Sequence, residues 1–154
     1  MAELTKKEQY KLLFQILYTL DTIYADYAKS VGLSYSTLII LNFIYETPEN
    51  CTQKLLSEKT FLPKQTVNTV ITGLYKDGLV SLKEKQDDRR NKNIHLTSKG
   101  QAFADKIFLK LDNAAIHAFD EIDATESSKL LELMRTYVEK LQDNIQSEKA
   151  YEGN

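Results

Sequence analysis

Apolar residues recur every three or four positions from Tyr10 onward: Tyr10, Leu13, Phe14, Leu17, Leu20, Tyr24 and Tyr27 form a helical stripe. The spacing predicts a first helix over residues 5–30. Leu12, Ile16 and Ile23 widen the stripe beyond what one surface helix needs, so this helix must cover two surfaces. A second copy of the chain is the economical candidate for the second surface. Val31-Gly32 ends the helix, because glycine takes the left-handed terminal conformation at little cost. Ser34 is the expected N-cap of the next helix, which runs through Leu38, Leu41, Ile44 and Tyr45 until Thr47-Pro48-Glu49-Asn50 breaks it.

A third helix is expected over Thr52 to Thr60, capped by Thr52 and turning Leu55 and Leu56 inward. The tight Phe61-Leu62 connection leads to a fourth, Pro63 to Lys76, with Pro63 in the first turn where its missing N–H is harmless. Its buried stripe is Val67, Val70, Ile71 and Leu74. Asp77-Gly78 stops it. A hairpin then runs out from Val80 to Glu84, crosses Gln86 to Asn91, and returns through Ile94-His95-Leu96. Thr97 can cap a long helix carrying Phe103, Ile107, Phe108, Leu111, Ala115, Ala118 and Phe119. Asp123 with Glu126 three residues later marks the start of a last helix through Leu130, Leu133, Met134, Tyr137, Leu141 and Ile145. Residues 147–154 read as a frayed end. The fold class is mainly α with a small β-hairpin.

Composition narrows this picture. A chain of 154 residues suits one domain, 1–154, and fractions of 42% hydrophobic and 27% charged suit a soluble globular one. The longest apolar runs, such as Leu38-Ile39-Ile40-Leu41, are too short to span a bilayer. The residues after Met1 include Glu3, Lys6, Lys7 and Glu8 without an apolar core, so no export signal is read and a cytoplasmic location is expected. A single cysteine, Cys51, fits a reducing compartment. The net charge of -2 hides an uneven distribution: between Cys51 and Gly100 ten Lys or Arg face five Asp or Glu, while the remainder holds ten basic and seventeen acidic residues. A basic middle between acidic arms points to a polyanionic partner for the middle alone.

Helix, turn, helix and basic-tipped hairpin, in that order, are the parts of a winged helix-turn-helix lobe, here 34–100. The long helices, 5–30 and 98–147, would then form a dimerisation region. On the fourth helix, the side opposite the buried stripe carries Lys64, Gln65, Thr66, Asn68, Thr69 and Thr72. Gln and Asn can address adenine edges, Thr a thymine methyl or a phosphate, and Lys a guanine or a phosphate. In the wing, Arg89 and Arg90 are the candidates for a minor groove, with Lys92 beside them. Lys54, Lys83, Lys85 and Lys99 are expected phosphate neighbours, supplying affinity without sequence choice. Double-stranded DNA is the expected partner.

The chain resembles the MarR family of bacterial winged-helix regulators over nearly its full length. The resemblance rests on Thr52-Gln53-Lys54-Leu55-Leu56, on Leu74-Tyr75-Lys76-Asp77-Gly78-Leu79-Val80, and most specifically on Asp88-Arg89-Arg90 followed by Leu96-Thr97 and Gly100. It implies a homodimeric repressor on a palindromic operator, released by a small-molecule effector. It also implies that Arg90 makes the wing contact and that Asp88 braces the wing. A carboxylate so placed would otherwise be repelled by DNA, which makes the bracing role physically sensible.

Other chemistries find less support. His95 and His117 are the only histidines, one in a strand and one in a helix, so no nucleophile, base and orienting group converge, and no enzyme is expected. No cofactor is implied, and the five glycines are scattered rather than gathered into a phosphate loop. A metal-responsive regulator could use His117, Asp120 and Glu121, a thin set without thiolate. A redox-responsive one could use Cys51 at a helix start, though it has no adjacent base and no second cysteine. A helical interaction module that has lost DNA binding is a further alternative. Tyr24, Tyr27, Tyr35 and Tyr45 are candidates to line a pocket for an aromatic or phenolic effector.

Overall fold

The computed structural model describes residues 4–84 and 92–152. Within them the elements are α1 (Lys6–Ser30), α2 (Tyr35–Glu46), α3 (Gln53–Thr60), α4 (Lys64–Lys76), β1 (Val80–Glu84), β2 (Lys92–Leu96), α5 (Ser98–Asp120) and α6 (Ala124–Glu152). Local chemistry sets most boundaries. Thr5 opens α1 with a full capping box: its hydroxyl accepts from the Glu8 N–H, and the Glu8 carboxylate accepts from the Thr5 N–H at 2.8 Å. The Thr5 hydroxyl, which also reaches the Glu8 carboxylate at 2.7 Å, and then the Thr5 N–H hold the Glu8 carboxyl below its ordinary pKa. Ser34, Thr52 and Thr97 cap α2, α3 and α5 through side-chain oxygens that accept from the N–H groups of Thr37, Leu55 and Gly100. Asp123 does the same for α6 through the Thr125 N–H at 2.8 Å.

The glycine stops work as their sequence suggests. Gly32 and Gly78 have φ of 76° and 70°. Each sits in a paired C-terminal motif, Leu33 N–H to Ala28 C=O with Gly32 N–H to Lys29 C=O, and Leu79 N–H to Leu74 C=O with Gly78 N–H to Tyr75 C=O. Two boundaries differ from expectation. Pro63 occupies the N-cap of α4 rather than its first turn. The last helix continues past 147 to Glu152, since no breaker precedes Gly153 and Ser147 returns its hydroxyl to the Asp143 carbonyl.

Two compact units divide the chain, Met1–Phe108 and Leu109–Asn154. The first owns the core: Leu38, Ile40, Leu41 and Ile44 of α2, Leu56 of α3, Val67, Ile71 and Leu74 of α4, Val80 and Ile94 of the hairpin, and Ala104, Ile107 and Phe108 of α5 are buried. Strands β1 and β2 pair antiparallel with Val80 opposite Leu96 and Glu84 opposite Lys92. The Cys51 carbonyl accepts from the Ile94 N–H at 2.8 Å, tying the hairpin base to the segment before α3. In the second unit none of the described residues is buried, and Leu130, Leu131, Leu133, Val138, Leu141 and Ile145 of α6 are all exposed. No helix among the described residues is long and apolar enough to cross a membrane.

Candidate nucleic-acid interface

The turn between α3 and α4 is held by hydroxyls. Thr60 donates to the Leu56 carbonyl at 2.6 Å and Ser57 to the Leu62 carbonyl at 2.8 Å. Between them Phe61 adopts the left-handed conformation, φ 57° and ψ 14°, with its ring 90% exposed. This residue escapes sequence reasoning, because a phenylalanine in a tight turn reads as core. Pro63 then opens α4 without any side-chain cap, leaving the first-turn N–H groups for an external acceptor.

On α4, Val67, Ile71 and Leu74 point into the core, so Lys64, Gln65, Asn68 and Thr72 lie exposed on the opposite side, with Thr66 half-buried. Thr69 is exposed one turn on from Gln65; its hydroxyl donates to the Gln65 carbonyl at 2.9 Å, and it also lines a cavity beside the helix. Lys83 and Lys92 are exposed on the hairpin strands, and Lys54 is exposed on α3, 3.9 Å from Glu58. Such a surface pair is worth little and leaves Lys54 able to exchange partners. Lys99 directs its ammonium to the Asp77 carbonyl at 2.7 Å, at the C-terminal end of α4. Lys85, Asp88, Arg89 and Arg90 lie outside the described residues.

Each of the four tyrosines singled out in the sequence has its own surroundings. Tyr27 donates to the Ile107 carbonyl at 2.6 Å, and Tyr45 to Asp105 at 2.9 Å while its ring meets Phe108. Tyr35 donates to Asp21 at 3.0 Å; burial, then that carboxylate, raises its pKa. Tyr24 is half-buried on α1. A cavity of about 610 Å³ lies elsewhere, bounded by Leu33, Thr37, Thr69, Gly73, Lys99 and Phe103 among others.

A family model described as MarR family matches residues 31–91, which take in α2, α3, α4 and β1. The transcriptional regulator SarZ of Staphylococcus aureus is 32% identical over 123 residues, covering 79% of this chain and 80% of its own. The chain belongs to the MarR family. It is therefore a transcriptional regulator and not an enzyme. Two solved structures share the MarR fold with it. NMB1585 of Neisseria meningitidis, a MarR family regulator, superposes with a TM-score of 0.76 at 24% identity, over 90% of this chain and 97% of that one. A MarR family regulator of Listeria monocytogenes, solved with a 26mer DNA, gives 0.71 at 22% identity over 94% and 92%.

Two sensor chemistries can be weighed against this MarR fold. Among the described residues no group of three or more His, Cys, Asp or Glu side chains is placed to hold a metal ion. Cys51 is fully buried, and desolvation pushes its thiol up to about 11. Since the thiolate is the reactive form, native protein should resist alkylation by iodoacetamide at pH 8, whereas denatured protein should react readily. Rapid native labelling would contradict the burial. The raised pKa has a defined linkage: its stabilisation is complete below the unfolded value near 9 and is lost as pH rises toward about 11.

Proposed function

We propose that this regulator is a homodimeric repressor that reads a palindromic operator with α4 and is released by a small-molecule effector. The observation that carries the reading is the outward row on α4, Lys64, Gln65, Asn68 and Thr72, behind an uncapped helix N-terminus and beside a basic hairpin. The first-turn N–H groups receive a phosphate, fixing register, while Gln65 and Asn68 address base edges in the major groove. Thr66 and Thr69 stand at the margins of that row. Lys54, Lys83, Lys85 and Lys92 neutralise flanking phosphates. Arg89 and Arg90 reach the neighbouring minor groove, with Asp88 bracing them. Twofold symmetry places the two recognition helices about 34–36 Å apart, one turn of duplex.

The dimer is supported by apolar surface that one chain leaves uncovered. Leu12, Phe14, Ile16, Leu20 and Ile23 of α1 are all exposed, as are the leucines of α6. So many exposed large apolar side chains on each of these helices mark an interface rather than scattered surface residues.

Arg90→Ala is expected to weaken operator binding by about 1–3 kcal/mol while leaving the dimer intact. A gel-shift titration on the DNA upstream of the gene, with size measured in parallel, checks this. Unchanged affinity would remove the wing from the interface. Substituting Gln65 or Asn68 by alanine should relax base preference instead. A loss uniform over all sequences would reassign them to phosphates.

A further inference from the structure

Phe61 combines two unfavourable features that its place in the fold does not explain. Its backbone is left-handed, φ 57° and ψ 14°, a region that a bulky side chain occupies only under strain and that helix ends ordinarily give to glycine. Gly32 and Gly78 take that conformation after α1 and α4, so the chain uses the ordinary solution at two other helix ends. The Phe61 ring is also 90% exposed, the highest value among the exposed large apolar side chains of the described residues. The turn that carries it is stiff. The Ser57 and Thr60 hydroxyls lock it on both sides, and Pro63 holds its own φ at -56° and restricts Leu62 before it. An apolar ring is thus presented to the outside immediately ahead of α4.

Its surroundings select what meets it. From Lys59 to Lys76 the sequence holds three lysines and no acidic residue. Lys59, Pro63 and Lys64 are exposed beside the ring, whereas Thr60 and Leu62 are half-buried. An apolar protein partner calls for a contiguous patch. A lone ring between ammonium groups suits instead an anionic duplex that offers an isolated apolar group. In the major groove that group is the C5 methyl of thymine, which phenylalanine can contact.

We propose that Phe61 is a specificity-determining residue of the operator contact, its ring packing on one thymine methyl in each half-site, next to the base pair addressed by Gln65. The inference rests on the operator reading above and adds a reader on the turn that leads α4 into the groove. Gln65 and Asn68 distinguish bases by hydrogen bonds. Phe61 distinguishes thymine from bases without the methyl by removing apolar surface from water. The left-handed backbone is then part of the reading, because it leaves the ring outside the core.

Uracil differs from thymine only in lacking that methyl. A gel-shift series on a duplex covering the bound stretch of upstream DNA, with symmetric thymine pairs changed to uracil one pair at a time, tests the inference. The parent protein is expected to lose on the order of tenfold in affinity at one pair, about fourfold for each methyl. Phe61→Gly should bind the thymine and uracil forms of that pair equally and respond to every other pair as the parent does. This comparison separates the ring from any threonine of α4 that meets a methyl of its own. The thermal midpoint of Phe61→Gly should be equal or higher, since glycine takes the left-handed conformation without strain. A lower midpoint would make the ring structural and overturn the inference, as would a series in which no pair separates the two proteins. A parent protein that binds the duplex yet ignores every methyl sinks this inference alone; one that binds no duplex sinks the operator reading with it.

Discussion

Gly100→Ala should destabilise the protein by about 3 kcal/mol or more, near the upper end for a single added methyl group. A Cβ on Gly100 would fall 1.8 Å from the Leu79 carbonyl oxygen and 2.8 Å from its carbon, both backbone atoms. Neither partner has freedom to retreat. The Leu79 carbonyl accepts from the Thr97 N–H at 3.0 Å, and the Leu79 N–H closes the end of α4 on Leu74. Gly100 donates its own N–H to the Thr97 hydroxyl at 3.0 Å, and that hydroxyl donates to the Gly78 carbonyl at 2.6 Å. The end of α4, the start of the hairpin and the first turn of α5 thus meet at one crossing too close for any side chain. Urea unfolding followed by circular dichroism measures the loss. A midpoint within error of the parent would mean that the first turn of α5 can slide away, and the crossing would not be the constraint argued here. Gly73 supplies the contrast within the same lobe: alanine there meets nothing and should leave the midpoint equal or higher.

That crossing also explains a motif. The Leu-Thr-x-x-Gly at Leu96, Thr97 and Gly100 was legible in the sequence as a resemblance, but its physical reason was not. Thr97 is both the cap of α5 and the clip onto Gly78, and Gly100 permits the approach; only the cap can be read locally. The same division runs through the chain. Ser34, Thr52 and Asp123 were readable as caps because a cap is a contact over two or three residues. The buried row of α4 followed from its period, and its outward row followed from the buried one. The Thr5–Glu8 box obeys the same rule, being a contact across three residues.

Side chains whose partners are distant in sequence were not legible. Tyr27 and Tyr45 end on residues 80 and 60 positions away, so no local pattern could separate a structural tyrosine from a ligand-facing one. Lys99 looked like any basic residue near a wing, yet its ammonium goes to the carbonyl of Asp77, 22 positions back. Thr69 has the type and helical phase expected of a DNA-facing residue, and only the fold shows that it also borders the cavity with Gly73 and Asp77. Composition reported correctly that the middle is basic. It could not report that Lys99 also serves the C-terminal end of α4.

Ile16→Glu is expected to convert a dimer into monomers of 17.7 kDa and to lower operator affinity by about a hundredfold or more. Ile16 lies on the exposed row of α1 with Leu12, Leu20 and Ile23, away from the buried Ala28. Nothing inside the chain should therefore resist the change. In a twofold interface the same surface serves both copies, so one substitution buries two carboxylates in apolar surroundings, at several kcal/mol each unless they protonate or stay apart. Separation also ends DNA binding of useful strength, because each lobe then holds its half-site alone and loses the second, effectively intramolecular contact. Analytical ultracentrifugation gives the mass, a gel-shift series gives the affinity, and far-ultraviolet circular dichroism establishes that the helices persist. Ile16→Leu, which keeps the surface apolar, should change none of these. A monomeric parent protein, or an Ile16→Glu variant still dimeric at micromolar concentration, would show that the apolar row of α1 is not where two copies meet.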